Sequence, residues 1–258
     1  MKSIFIISII FIFLSHSLCQ IKSKTIEYDH AGIQLEGYLT YDGLLKSKRG
    51  GVLIVHEWWG LNDFIKERAN QLAELGYVVF ALDMYGKGVL LKTYQEASEM
   101  AGKFYSDRQL MRDRAAAGLE ILKQQNNVDP SRIAVMGYCF GGTVALELAR
   151  SGTELLGAVS FHGGLNTPNP EDAKNIRASI LVFHGADDPN VPAEEVAAFQ
   201  DEMRQANVDW QMVFYGNAVH SFTNPNVGFD TSSGVAYNYN ADIRSWEVLK
   251  SFFRELLR

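Results

Sequence analysis

Residues 133–143 read IAVMGYCFGGT, an apolar run that leads into three glycines around a single cysteine. Gly137, Gly141 and Gly142 stand at positions −2, +2 and +3 from Cys139, the spacing of a G-x-S-x-G nucleophile elbow with cysteine in place of serine. Small residues there let the chain turn sharply from strand to helix and leave room for substrate. The stretch therefore predicts a parallel sheet that presents Cys139 at its open edge.

The position of Cys139 also favours the reactive thiolate form. A helix N-terminus places partial positive charge beside the sulfur, and a nearby imidazole would add to it. The alternative is an inert structural cysteine buried in a helix-packing turn. An acid and a histidine placed to form a catalytic set with Cys139 would favour the reactive cysteine over the structural one.

Outward from the elbow, β-branched runs alternate with amphipathic stretches, which is typical of an α/β fold with a mostly parallel central sheet and helices on both faces. We predict strands over residues 25–29, 33–41, 51–56, 77–82, 132–137, 155–161, 179–184 and 210–215, and helices over 63–75, 94–105, 107–125, 140–150, 193–206 and 241–257. No linker or repeat interrupts them, so residues 20–258 are expected to form one domain.

An acid and a histidine follow the cysteine in the order nucleophile, acid, base. Asp187 and Asp188 lie in a turn after an apolar strand, and we favour Asp188 because Pro-Asn-Val-Pro follows it. His220 lies directly after the last predicted strand, where its imidazole would reach the sulfur. Asp188 would hold that imidazole in the correct tautomer. Aspartates that only cap turns remain the alternative for this segment.

Residues 56–62, HEWWGLN, also follow a strand and are expected beside the elbow. Acyl transfer needs two backbone N–H groups aimed at the oxyanion, and Trp58 and Phe140 are the candidates. Glu57 either regulates the sulfur or is a plain acid, because a carboxylate next to a thiol opposes thiolate formation. Trp59 lines an apolar substrate pocket or packs in the core.

Five segments together resemble the dienelactone hydrolase family: residues 56–60 (HEWWG), 83–86 (DMYG), 137–142 (GYCFGG), 188–192 (DPNVP) and 220–222 (HSF). The resemblance implies an α/β-hydrolase fold and hydrolysis of carboxylic esters or lactones through a thioester. It implies a triad of Cys139, Asp188 and His220, oxyanion donors at Trp58 and Phe140, and contact of Glu57 with the resting thiol. It requires no metal or organic cofactor.

Two positions depart from the family pattern in a way that bears on substrate. Family members that open dienelactone hold its carboxylate with two arginines, whose places here are taken by Lys87 and Asn224. Lysine keeps a point charge without the planar fork, and asparagine keeps none. Lys87 and Asn224 are thus candidate substrate-binding residues, but muconate-type lactones are doubtful substrates.

Composition and charge limit the classes of molecule that the protein is expected to bind. The formal charge of −6 and the absence of a Lys/Arg-rich run exclude a nucleic-acid footprint. No pair of histidines has metal-ligand spacing, so no metal site is predicted. We expect a monomer that acts on a small-molecule ester or lactone.

Residues 1–19 have the pattern of an export signal: a positive start, an apolar run and small residues before a cut ahead of Gln20. The run is too short for a spanning helix of about 20 residues, so we expect no stable membrane insertion after the signal is removed. The mature chain would be periplasmic or secreted, with Cys139 as its one cysteine.

Two further hypotheses compete with an exported cysteine hydrolase. A catalytically silent binding protein of the same fold would bind ligand without turnover, and the unusual Asn224 is its only sequence support. A thiol-based redox protein would need a resolving cysteine, which signal removal eliminates.

Overall fold

The computed structural model describes residues 19–257, and an eight-stranded sheet runs through its centre. The strands are β1 (Ile21–His30), β2 (Ile33–Asp42), β3 (Arg49–Val55), β4 (Val78–Leu82), β5 (Val128–Tyr138), β6 (Gly157–Phe161), β7 (Ser179–Gly185) and β8 (Trp210–Tyr215). The helices are α1 (Asp63–Glu74), α2 (Tyr94–Ser106), α3 (Arg108–Lys123), α4 (Phe140–Arg150), α5 (Ala193–Gln205) and α6 (Tyr239–Leu256). The expected α/β architecture is confirmed.

The strand order is β1-β2-β4-β3-β5-β6-β7-β8. β1 and β2 form an antiparallel hairpin, β2 pairs antiparallel with β4, and all remaining pairs are parallel. The carboxyl ends of the six parallel strands therefore meet at one edge of the sheet. In such sheets ligands bind outside that edge.

Each face of the sheet is covered by helices, with a separate apolar cluster beneath each layer. Along β3, Leu53 and Val55 pack in the cluster under α2 to α5, while Val52 and Ile54 pack in the cluster under α1 and α6. A strand buried on both faces has no polar positions, which is why it reads as a continuous apolar run.

Element bounds differ from the predictions in two informative places. Asn62, rather than Asp63, caps α1 by accepting the N–H of Ile65 at 3.3 Å. Asparagine and aspartate are both good N-cap residues, so the sequence alone does not show which of the two neighbours is the cap. β5 begins at Val128, four residues before the predicted start, because a bulge lets Val128 pair with Arg49.

The expected export signal, residues 1–19, lies outside the described residues apart from Cys19. Among residues 19–257, no helix combines the length and apolar character needed to cross a bilayer.

Candidate active site

Cys139 occupies a strained turn between β5 and α4. Its φ of 54° and ψ of −118° lie in a region that non-glycine residues rarely adopt. The turn requires the flanking glycine, because a Cβ on Gly137 would lie 2.0 Å from the carbonyl oxygen of Gly141. The strain puts the sulfur at the carboxyl edge of the sheet, with the first turn of α4 behind it.

Cys139, His220 and Asp188 form a hydrogen-bonded chain. The Sγ of Cys139 lies 3.1 Å from Nε2 of His220, and Nδ1 of His220 lies 2.9 Å from Oδ2 of Asp188. Each residue follows a different strand, β5, β8 and β7 respectively, so the parallel sheet brings together residues far apart in the sequence. Asp187, the alternative acid, is exposed on the same turn.

The surroundings of His220 favour the protonated, positively charged form of its imidazole. Burial alone would lower its pKa, but the neighbouring sulfur of Cys139 and the hydrogen-bonded carboxylate of Asp188 outweigh that effect and hold the pKa well above its usual range. An imidazolium next to the sulfur stabilises a thiolate.

A second histidine, His162, forms a hydrogen bond with the backbone of Cys139. Its Nδ1 accepts a hydrogen bond from the N–H of Cys139 at 3.2 Å, and its Nε2 lies 2.8 Å from Oγ1 of Thr223. Burial, and then the charge of His220, keep the pKa of His162 well below its usual range. A neutral ring in this position holds the backbone of the elbow through its hydrogen bond to the N–H of Cys139.

Glu57 lies in the same cluster, but it does not bond to the thiol as the resemblance implies. Its carboxylate, 1% exposed, accepts hydrogen bonds from Nδ2 of Asn224 at 2.7 Å and from Oγ of Ser221 at 3.4 Å. Burial raises the pKa of Glu57, and these two bonds partly offset the increase. Because Asn224 and Ser221 take up the carboxylate, the sulfur of Cys139 is left to His220.

The two predicted substrate-binding polar residues have other partners. Both ends of the Asn224 amide are engaged, by Glu57 and by the N–H of Asn226 at 3.0 Å. Lys87 forms a surface ion pair with Glu27 on β1 at 2.6 Å and does not line the cavity at Cys139. The structure thus places the ammonium group of Lys87 at the hairpin carboxylate rather than among the residues that line this cavity.

The two predicted oxyanion donors follow neighbouring strands of the sheet, β3 and β5. Phe140 is the first residue of α4, and Trp58 lies in the loop after β3. Within residues 19–257, neither backbone N–H donates a hydrogen bond. Two free donors next to a nucleophile are what a tetrahedral oxyanion needs.

A cavity of about 450 Å³ opens above the sulfur. Trp58, Trp59, Tyr105 and Val191 are among the residues that line it. Glu195 also lines it, with its carboxylate engaged by the N–H groups of residues 165 and 166. Tyr105, Glu195 and His162 were not found from the sequence; only His162, directly after β6, carried a signal, a polar residue at the carboxyl end of a parallel strand.

The segment from Asn224 to Asn240 is anchored beside His220. The N–H of His220 donates to the carbonyl of Gly234 at 3.0 Å, and the carbonyl of His220 accepts from Ala236 at 3.1 Å. Tyr237 turns away and donates to Asp242, and Tyr239 is exposed. The segment shapes the pocket through other residues, which include Val227 and Val235.

Across residues 19–257, no three His, Cys, Asp or Glu side chains are grouped so that they could hold a metal ion.

Comparisons with known proteins agree with this geometry. The model of the dienelactone hydrolase family matches residues 36–257. A protein of Aquifex aeolicus named "Putative carboxymethylenebutenolidase" is 27% identical over 239 residues, which cover 91% of this chain and 99% of that one.

Two solved structures are also similar. The dienelactone hydrolase-like promiscuous phosphotriesterase P91 from metagenomic libraries is 42% identical, with a TM-score of 0.88 over 92% of this chain and 99% of that one. Dienelactone hydrolase from Anabaena variabilis, 18% identical, has a TM-score of 0.68 over 93% of this chain and 100% of that one, which shows the shared fold.

Proposed function

The chain belongs to the dienelactone hydrolase family, a family of hydrolases, and from that premise we propose that it cleaves carboxylic esters or lactones through a thioester on Cys139. The observation that carries the proposal is the chain of contacts from Sγ of Cys139 through His220 to Asp188, at 3.1 and 2.9 Å. These are hydrogen-bond distances for a nucleophile, a base and an orienting acid.

In the acylation step, the thiolate of Cys139 attacks the ester carbonyl carbon and forms a carbon–sulfur bond. The carbonyl oxygen takes the negative charge and accepts hydrogen bonds from the N–H groups of Trp58 and Phe140. When the tetrahedral intermediate collapses, the carbon–oxygen bond to the alcohol breaks. The leaving oxygen takes the proton of His220 Nε2, so the product is a free alcohol and a thioester.

In the deacylation step, neutral His220 removes a proton from water, and the hydroxide attacks the thioester carbon. The carbon–sulfur bond breaks, the carboxylic acid leaves, and the thiolate–imidazolium pair is restored. Asp188 keeps the imidazole oriented through both steps. Amides are expected to be poor substrates, because a thiolate leaves the tetrahedral intermediate more readily than an amine does.

In this scheme Glu57 positions Asn224 and Ser221, the residue next to His220, by accepting their hydrogen bonds. An ionised carboxylate beside the sulfur would oppose the thiolate, whereas Asn224 and Ser221 hold the carboxylate through their own hydrogen bonds. The alternative of a catalytically silent binding protein has less support, because silent sites have no need of a strained nucleophile with two free N–H donors.

Hydrolysis of p-nitrophenyl acetate tests the proposal. We expect stoichiometric alkylation of Cys139 by iodoacetamide to abolish turnover, and Cys139→Ala and His220→Ala to lose it. An active Cys139→Ala protein would reject the proposal. Hydrolysis of the ester ligands that the protein binds would favour the hydrolase, whereas binding without hydrolysis would favour the catalytically silent binding protein.

Phosphotriesters are a second candidate substrate class, favoured by the 42% identity to a protein named a promiscuous phosphotriesterase. The thiolate would attack phosphorus, expel an aryl oxide and leave a phosphorylated cysteine for water to hydrolyse. Release of p-nitrophenol from paraoxon by the wild-type protein, and its loss in Cys139→Ala, would support this activity. No release would limit the chain to carbon esters.

A further inference from the structure

A second cavity, of about 440 Å³, adjoins the cavity at Cys139. The two share four lining residues, Trp59, Tyr94, Val227 and Val235, so a ligand can extend from one into the other. We call the second cavity the polar cleft. Its other lining residues are polar: Asn62, Asn224, Asn226, Asp230 and Ser233.

The polar cleft adjoins His220, because Val235, which lines both cavities, pairs with His220 in a β-bridge. His220 must protonate the leaving oxygen, so the alcohol part of an ester lies toward Nε2 of His220. The segment that carries Asn226 and Asp230 is bonded to the backbone of His220 on both its N–H and its carbonyl. The polar cleft is therefore a neighbouring space that an alcohol leaving past His220 can enter.

The cleft keeps hydrogen-bonding groups free. Within residues 19–257, the side-chain amide of Asn226 has no partner, and Asp230 uses one carboxylate oxygen to accept the N–H of Ser232 at 2.9 Å. Asn62 uses its oxygen to cap α1 and leaves its NH₂ group free. Two amides and a carboxylate offer both donors and acceptors, which suits a ligand with several hydroxyl groups.

The wall of the cleft is aromatic. Trp59 and Tyr94 pack edge to face with ring centroids 5.3 Å apart, and Tyr94 is 67% exposed, an unusual exposure for a ring of this size. Aromatic surface of this kind packs against the C–H face of a ring, while the amides bond to its hydroxyl groups.

Charge selects against an anionic ligand. In the part of the chain that the structure describes, no lysine or arginine lines either cavity, and apart from the Cys139–His220 pair the charged residues that do are Glu195 and Asp230. A ligand carboxylate would therefore be repelled and left without a cation partner. A neutral ligand meets no such cost.

We propose that the polar cleft binds the alcohol part of the substrate and that this alcohol is a neutral polyhydroxylated ring, so the substrates are acyl esters of sugars or cyclic polyols. The acyl group then occupies the cavity lined by Tyr105 and Val191. The inference rests on the proposed ester hydrolase and adds the substrate class to it.

The test compares two acetates of similar shape that differ in the oxygen groups of the ring. One is a methyl glucopyranoside acetylated on its primary hydroxyl, and the other is cyclohexylmethyl acetate, whose ring carries no oxygen. We expect kcat/KM of the wild-type protein to be about tenfold higher for the sugar ester, since each hydrogen bond gained contributes about two- to tenfold. In Asn226→Ala and Asp230→Asn the ratio should fall about two- to tenfold each.

Asn126→Ala is the matched control, because Asn126 is an exposed asparagine outside both cavities; it should leave the ratio unchanged. Equal wild-type kcat/KM for the two esters, or a sugar preference that persists in both cleft variants, would overturn the inference while p-nitrophenyl acetate hydrolysis still supports the ester hydrolase. Absence of Cys139-dependent hydrolysis of all three esters would overturn both.

Discussion

Replacing Asp188 by asparagine tests the orientation of the imidazole with almost no change in shape. Asp188 is 5% exposed and its carboxylate accepts from His220 at 2.9 Å, so water cannot substitute for it. A hydrogen bond to a charged group contributes about 1.5–3 kcal/mol, equivalent to about ten- to 150-fold in rate. An asparagine NH₂ facing Nδ1 also favours the wrong tautomer, and the same change in a serine triad lowers kcat about 10⁴-fold.

We therefore expect Asp188→Asn to lower kcat for p-nitrophenyl acetate by between about ten- and 10⁴-fold. Asp187→Asn is the control, because Asp187 is the exposed neighbour on the same turn, and it should change kcat by less than about twofold. Both variants should unfold at the wild-type temperature within a few degrees. A folded Asp188→Asn protein that keeps more than a tenth of the wild-type kcat would refute the role of Asp188.

Three other outcomes are expected. Gly234 has φ of +75° and a Cβ there would lie 2.4 Å from Cγ of Pro189, so Gly234→Ala should lower the free energy of unfolding by about 1–3 kcal/mol in urea titrations; an unchanged midpoint would contradict this. Burial raises the pKa of Glu57, so wild-type protein should lose stability relative to Glu57→Gln as pH rises from about 4 through that raised pKa; denaturation midpoints that differ by a constant amount at every pH would argue against it. We propose that the chain is exported, and mass spectrometry of the exported protein should find Gln20 at its N-terminus, whereas retention of residues 1–19 would rule out the cut.

Periodicity and glycine spacing predicted most of the fold, because these signals are local. The helix after the elbow was predicted at its observed bounds, Phe140–Arg150, since a strand, a glycine turn and an amphipathic run follow one another there. The early start of β5 was missed because it depends on pairing with Arg49, and a bulge has no signature in a single strand.

The candidate site shows the same division. Cys139, Asp188 and His220 each follow a predicted strand. Because the carboxyl ends of parallel strands share one edge of the sheet, the sequence alone predicted that the three residues lie close together. The partners of Lys87 and Glu57 were missed because they are long-range choices between neighbouring groups: Lys87 pairs with Glu27 on the hairpin, and Glu57 with Asn224. Neither choice follows from residue type or spacing.

The most direct test of the account is to find the acyl group itself. Wild-type protein mixed with p-nitrophenyl acetate and quenched in acid during turnover should carry one acetyl group, which peptide mass spectrometry places on Cys139 and which hydroxylamine removes, as expected of a thioester. Cys139→Ala protein treated in the same way should carry none at this position. Continued turnover with an unmodified Cys139, or with the acetyl group on another residue, would contradict a nucleophilic cysteine.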